Sequence, residues 1–111
     1  MEPVFLTLEE VLAIHEDRIR NYGGSFGVRD LTLLQSAVGV VEATFENGYL
    51  HGSVFEMAAA YLFHIARNHP FIDGNKRTAL ACSLAFLHLN DVGIGARPAA
   101  LYDLVMGVAE G

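Results

Sequence analysis

One ten-residue stretch separates the two most apolar segments of the chain: His69-Pro70-Phe71-Ile72-Asp73-Gly74-Asn75-Lys76-Arg77-Thr78. Pro70 prevents the preceding apolar segment from simply continuing as a helix. The triplet that starts at Asp73 is a turn signal, and the apolar segment after it is typical of a new helix. Backbone N–H groups at a helix N-terminus attract phosphate. The stretch therefore predicts a break between two buried helices, with an anion site where the second helix begins.

Two side chains of this stretch could take part in proton transfer or metal binding. An imidazole accepts protons near neutral pH, so His69 could act as a base. The alternative is a helix-terminal histidine that the helix dipole stabilises. Asp73 could hold Mg²⁺, which proteins commonly bind through one or two carboxylates plus substrate phosphates. The alternative for Asp73 is a turn residue or a helix cap.

The four residues after Asp73 suit a phosphate group. Gly74 permits a positive φ and the close approach of a ligand, and Asn75 could cap the helix, contact a phosphate, or do both. Lys76 and Arg77 could be solvated charges, but cations in the first turn oppose the helix dipole. A bound polyphosphate would remove that conflict, so we interpret this local violation as a sign of function.

Length and composition limit the classes of protein to consider. The chain has 111 residues, of which 52% are hydrophobic, and we expect a single domain over residues 1–111. A net charge of −6 argues against nucleic-acid binding, which usually needs a basic surface. No apolar run reaches the roughly 18 residues of a membrane span, and the N-terminus lacks a basic signal-peptide region. The single cysteine, Cys82, fits a reducing, cytoplasmic setting.

The hydrophobic pattern predicts an all-α fold. A capping box from Thr7 to Glu10 opens the first helix, Asp30 and Ser53 can cap the second and third, and Pro98 fits the first turn of the last. We expect helices at about residues 8–21, 31–43, 54–68, 75–89 and 98–108, with turns at 47–48 and 90–95. The third helix is apolar nearly all round and should be central and buried. Because strand signals are nearly absent, we expect a compact bundle of about five or six helices.

Other candidate residues carry weaker signals. Cys82 lies in an apolar helix and is better explained as core than as a nucleophile. No phosphate-binding P-loop or dinucleotide motif is present. The remaining histidines lack metal-site spacing, and we expect structural or surface roles for them: His15, His51, His64 and His88.

The ten-residue stretch resembles the core motif of the Fic/Doc superfamily, and the helical layout matches that fold. Residues 8–15, 24–30 and 34–37 also resemble signatures of death-on-curing (Doc) proteins, so the resemblance covers most of the chain. Fic enzymes that transfer AMP typically carry glycine where this chain has Lys76, and arginine where it has Leu80. Both departures favour the Doc branch.

Resemblance to Doc implies the toxin of a type II toxin–antitoxin system. Such a toxin is a protein kinase that uses ATP and Mg²⁺ to phosphorylate a Thr/Ser hydroxyl, in elongation factor Tu, and so inhibits translation. By this resemblance His69 would be the catalytic base and Asp73 would hold Mg²⁺. Residues 74–76 would form an anion nest, in which Lys76 also supplies charge, and Arg77 would clamp the phosphates as a bidentate donor.

The resemblance also suggests how the protein is controlled. Many Fic proteins inhibit themselves through a [Ser/Thr]-x-x-x-Glu-[Gly/Asn] motif, which this chain does not contain. We therefore expect a separate Phd-like antitoxin, whose disordered C-terminal segment folds on the toxin. Two alternatives stay open: a Fic-type AMP transferase and a catalytically silent nucleotide-binding scaffold. A metal-dependent phosphohydrolase would need more ligands than the motif offers.

Overall fold

Helices make up most of the chain that the structure describes. The structure is a computed structural model, and it describes residues 2–46 and 48–92. It contains α1 (Leu8–Tyr22), α2 (Leu31–Gly39), α3 (Val54–Asn68) and α4 (Asn75–Leu89), and a 3-10 helix, Val40–Glu42, continues α2. The all-α class and the first four expected helices are confirmed. The helix expected at 98–108 and part of the turn expected at 90–95 lie outside the described residues.

The caps predicted for the first three helices are present. The Thr7 hydroxyl accepts from the Glu10 N–H, and the Glu10 carboxylate accepts from the Thr7 N–H, which is a capping box. Asp30 accepts from the backbone of α2, and Ser53 accepts from the backbone of α3. α1 ends at Gly23, whose φ of 87° few other residues adopt. These local signals explain why the helix boundaries could be predicted so closely.

A short β-hairpin is the feature of the fold that the sequence analysis missed. β1 (Thr44–Phe45) pairs antiparallel with β2 (Gly48–Tyr49), where only a turn and a loop were expected. Each strand has two residues, which is too short for an alternating hydrophobic pattern. Glu46 has a φ of 49°, in the left-handed region that tight hairpin turns use.

The core lies between α3 and α4, with α1 and α2 packed on the outside. Tyr61 and Ile65 of α3, and Cys82 and Phe86 of α4, are fully buried. Burial raises the pKa of the Cys82 thiol to about 12, in keeping with its predicted core position. α3 is central as expected, but not buried all round. Phe55 and two further positions at spacing i+4, 59 and 63, lie on an exposed face.

No helix in the described ranges combines the length and the hydropathy needed to cross a membrane.

The packing of α3 against α4 has a direct consequence for the predicted site. Both helices are 15 residues long, and the break between them spans only residues 69–74. The end of α3 and the start of α4 are therefore held side by side by a buried core, with a short loop between them.

Candidate functional site

The loop between α3 and α4, residues 69–74, forms one wall of a surface pocket of about 320 Å³. The first turn of α4 completes it. All residues that the sequence analysis proposed for catalysis and binding line this pocket, together with Ile72: His69, Asp73, Gly74, Asn75, Lys76 and Arg77. The structure thus brings the candidate base, carboxylate and cations into one space. We call residues 69–74 the motif loop.

His69 ends α3 in a strained backbone conformation. Its φ and ψ are 48° and 54°, the left-handed region, which costs a non-glycine residue about 1–3 kcal/mol. The Arg29 side chain donates from Nε to the His69 carbonyl at 2.6 Å and from Nη2 to the Asn68 carbonyl at 2.9 Å. A cation at a helix C-terminus also interacts favourably with the negative end of the helix dipole. Arg29 therefore helps to hold the exposed His69 in place.

A second loop, residues 23–30, supports the motif loop along its length, and we call it the brace loop. The Pro70 carbonyl accepts from the backbone N–H groups of Arg29 and Asp30, at 2.8 and 3.0 Å. The Ile72 N–H donates to the Gly27 carbonyl, next to an antiparallel bridge between Val28 and the motif loop. From the sequence, residues 24–30 were predicted only as a family signature that ends in the helix cap Asp30. Their role as a support depends on pairing that no local pattern reveals.

The Asp73 carboxylate is exposed and is fixed by two backbone donors. Oδ1 accepts from the Gly74 N–H at 2.9 Å, and Oδ2 accepts from the Ser25 N–H at 3.1 Å. Each oxygen keeps acceptor capacity for a further partner. Within residues 2–46 and 48–92, no group of three or more His, Cys, Asp or Glu side chains could hold a metal ion. A single carboxylate with free acceptor capacity is a donor that Mg²⁺ can use when phosphates and water supply its other ligands.

Gly74 is favoured by its backbone conformation, and the space beside it is tight. It is the N-cap of α4 with a φ of 73°, and a Cβ atom there would lie 2.9 Å from Cδ1 of Ile19. Gly74 provides no side chain to cap the helix, and the first turn of α4 contains no acidic residue. The N–H groups of that turn have no partners within the helix itself. They therefore form a region of positive potential beside the pocket.

Asn75 is the first residue of α4, and it is not the helix cap that the sequence analysis allowed it to be. Its side chain turns back to the motif loop. Oδ1 accepts from the Phe71 N–H and Nδ2 donates to the Phe71 carbonyl, both at 2.9 Å. Asn75 and Phe71 are 8% and 1% exposed, so water does not compete for these bonds. The Asn75 side chain thus closes the loop onto the helix.

The two cations extend the positive charge of this helix start. Arg77 donates from Nη1 to the Gly23 carbonyl at 3.1 Å, and its guanidinium lies 5.5 Å from the centre of the Tyr22 ring. In the part of the chain that the structure describes, neither Lys76 nor Arg77 forms an ion pair with a carboxylate. Their charge adds to the helix dipole instead of being neutralised, as expected of an anion site.

The break between two buried helices that the ten-residue stretch predicted is present, and two cations lie at the start of the second helix. The Fic/DOC family model matches residues 5–87, and the chain belongs to that family. The protein kinase doc of Escherichia phage P1 is 40% identical over 103 residues, which are 93% of this chain and 80% of that protein. The toxin Doc of Mycolicibacterium smegmatis is 44% identical over 75 residues, which are 68% of this chain and 58% of that protein. The expected resemblance to Doc proteins is thereby confirmed.

Proposed function

We propose that this protein is the toxin of a toxin–antitoxin system and acts as a protein kinase. It would transfer the γ-phosphate of ATP to a Thr/Ser hydroxyl of a translation factor, which by resemblance is elongation factor Tu. One observation carries the proposal: a histidine, a carboxylate and two cations line a single pocket at a helix N-terminus. The names of the relatives, one a protein kinase and one a toxin, support the same activity.

In this proposal His69 accepts the proton of the target hydroxyl. The hydroxyl oxygen forms a bond to the γ-phosphorus, and the bond from that phosphorus to the β–γ bridging oxygen breaks. ADP leaves, and the phosphate ester stays on the target. Phosphoryl transfer needs mainly positioning and charge stabilisation. Arg77, Lys76 and the N–H groups of the first turn of α4 supply that stabilisation, because all lie around the same pocket.

Asp73 is the residue that would hold Mg²⁺. The ion would neutralise part of the charge on the phosphates. The proposal gives Asn75 a second role beside any phosphate contact, which is to fix the loop that carries Asp73. Gly74 lets the nucleotide approach the helix start, because it has no side chain there.

The test is to follow label from ATP onto protein. The protein is incubated with Mg²⁺ and purified elongation factor Tu, in parallel with γ-labelled and α-labelled ATP. We expect label on the factor from γ-labelled ATP alone. Label from the α position would show AMP transfer and overturn the kinase proposal. No label from either, with a folded protein, would overturn both enzymatic activities for this target.

A variant pair assigns the base. His69→Ala should abolish transfer while ATP still binds, because its side chain is proposed to move only the proton. His88→Ala is the matched control, since His88 is an exposed histidine near the other end of α4. Transfer by His69→Ala at the wild-type rate would contradict the role of His69.

The proposed partner is a Phd-like antitoxin that folds on this protein, and the proposed setting is the cytoplasm, where the translation factor acts. Expression of the chain alone should arrest growth, and co-expression of a cognate antitoxin should restore it. Growth arrest by His69→Ala at the same expression level would show that toxicity does not depend on transfer.

A further inference from the structure

A buried histidine of α1, His15, reaches the motif loop at Asp73. Val11, His15 and Ile19 are the buried residues of α1, and their i, i+4 spacing places them on one face. His15 is only 4% exposed. Its ring lies parallel to the Phe71 ring, with centroids 3.8 Å apart and 5° between the planes. Its Nε2 atom lies 2.8 Å from the Asp73 carbonyl oxygen.

The chemistry of this contact fixes which atom donates. A carbonyl oxygen can only accept, so Nε2 of His15 carries the hydrogen and donates it to Asp73. A phenylalanine at this position could keep the stacking but would have no donor. A glutamine could keep a donor but would lose the stacking. The two components of the contact can therefore be separated by substitution.

α1 holds the turn at Asp73 at two neighbouring points. His15 binds the Asp73 carbonyl, and the Ile19 side chain packs so closely against Gly74 that a Cβ there would clash at 2.9 Å. The side chain of Asp73 is held separately from its backbone, because the N–H groups of Ser25 and Gly74 donate to its carboxylate oxygens. The backbone of Asp73 is thus set by α1, and its carboxylate by the brace loop and the helix start.

We propose that His15 is a positioning residue, which places the Asp73 carboxylate for a bound metal–nucleotide. The inference rests on the proposed function for its ligand, Mg²⁺ with ATP. The structural effect of His15 does not depend on that ligand. Loss of the His15 donor should shift the turn at Asp73 and move the carboxylate relative to its two N–H donors. His15 does not line the pocket, so in this proposal it acts through Asp73 and not on the substrate.

The test compares three variants of α1 in the full chain. His15→Phe removes the donor, His15→Gln keeps a donor, and Val11→Ala is the control, because it truncates another fully buried side chain of the same face. Two quantities are measured: the ¹⁵N–¹H signals of the Ser25 and Gly74 amides, and the affinity for Mg²⁺ in the presence of ATP. The first does not depend on any activity.

We expect His15→Phe to shift both amide signals and to weaken Mg²⁺ binding about 10-fold, as partners of metal ligands often do. His15→Gln should retain most of the wild-type affinity. Val11→Ala should lower the melting temperature and leave both signals and the affinity unchanged. A folded His15→Phe with wild-type signals and affinity would overturn the proposal, as would the same loss in Val11→Ala.

The role of His15 can be decided even if His15→Phe does not fold or the wild-type protein does not bind Mg²⁺. If His15→Phe does not fold, His15→Gln decides: unchanged amide signals support the donor role, and shifted signals overturn it. If the wild-type protein does not bind Mg²⁺ with ATP, the proposed function fails. The amide signals of the variants then still decide whether His15 sets the geometry of the turn.

Discussion

Replacement of Asn75 by alanine should destabilise the whole protein, although the residue lines the pocket. The carboxamide makes two hydrogen bonds of 2.9 Å to the backbone of Phe71. Alanine would leave the Phe71 N–H and carbonyl without partners in a place that is 1% exposed. Each unsatisfied buried group costs about 1–3 kcal/mol. We therefore expect a loss of roughly 3 kcal/mol in the free energy of unfolding, out of about 5–15 kcal/mol for a typical domain.

This loss is measurable by chemical or thermal unfolding. A change of that size should lower the melting temperature by about 13 °C in a domain of this length. Ser83→Ala is the matched control, because its hydroxyl is buried and donates one bond, at 2.9 Å, to the Ala58 carbonyl of α3. It should cost only about 1 kcal/mol. Surface substitutions usually change the free energy of unfolding by less than about 0.5 kcal/mol. If the change in Asn75→Ala is that small and the variant loses only ATP affinity, Asn75 contacts phosphate and does not hold the loop in place.

Three further predictions concern the backbone strain at His69, the space beside Gly24 and the buried thiol of Cys82. His69→Gly should abolish transfer. It should also raise the free energy of unfolding in urea by about 1 kcal/mol, because glycine adopts the left-handed backbone conformation without strain. A less stable variant would show that the strain is absent. Gly24→Ala should weaken Mg²⁺ binding, because its Cβ would lie 2.6 Å from Oδ2 of Asp73. Gly23→Ala is the control: its φ is also positive, but a Cβ there has nothing within 4 Å, so it should lower stability alone. Equal affinities of the two variants for Mg²⁺ would refute the clash. Burial raises the pKa of the Cys82 thiol from 9.0 to about 12, so the contribution of the neutral thiol to stability should be complete below pH 9.0 and should be lost as the pH rises toward about 12. The measurement is the urea midpoint across that pH range. Midpoints that do not decline, or that decline equally in Cys82→Ala, would contradict this.

The helices could be predicted because their signals are local. A capping box, two side-chain caps and a glycine stop lie within a few residues of the boundaries that they set. Pro70 and Gly74 mark the break between α3 and α4 in the same way. The chemistry of the pocket was also visible, because its residues are contiguous in the sequence. The sequence could therefore indicate the four described helices and the residue types at the site.

The supports of the site could not be predicted because they join distant segments. Arg29 and His69 are 40 residues apart, and His15 and Asp73 are 58 apart. A lone histidine on an apolar helix face gives no sign of its partner, so His15 received only a general structural role. The Asn75 side chain could have reached several acceptors, and only the folded loop shows that it binds Phe71. The hairpin was missed for a different reason, since two-residue strands carry almost no pattern.

The supporting contacts divide the site into two kinds of residue. Arg29, His15 and Asn75 all bind backbone atoms of the motif loop or of the last turn of α3. In the described ranges the side chains of His69 and Lys76 make no hydrogen bond to other protein groups, and His69 contributes only its backbone carbonyl to the contact with Arg29. The side chains of Asp73 and Arg77 belong to both kinds, because each also binds the backbone of the brace loop. Substitution of His69 or Lys76 should leave stability within about 1 kcal/mol of wild type while transfer is lost. Substitution of a support should reduce both together, and a plot of stability against transfer across the variants would separate the two classes.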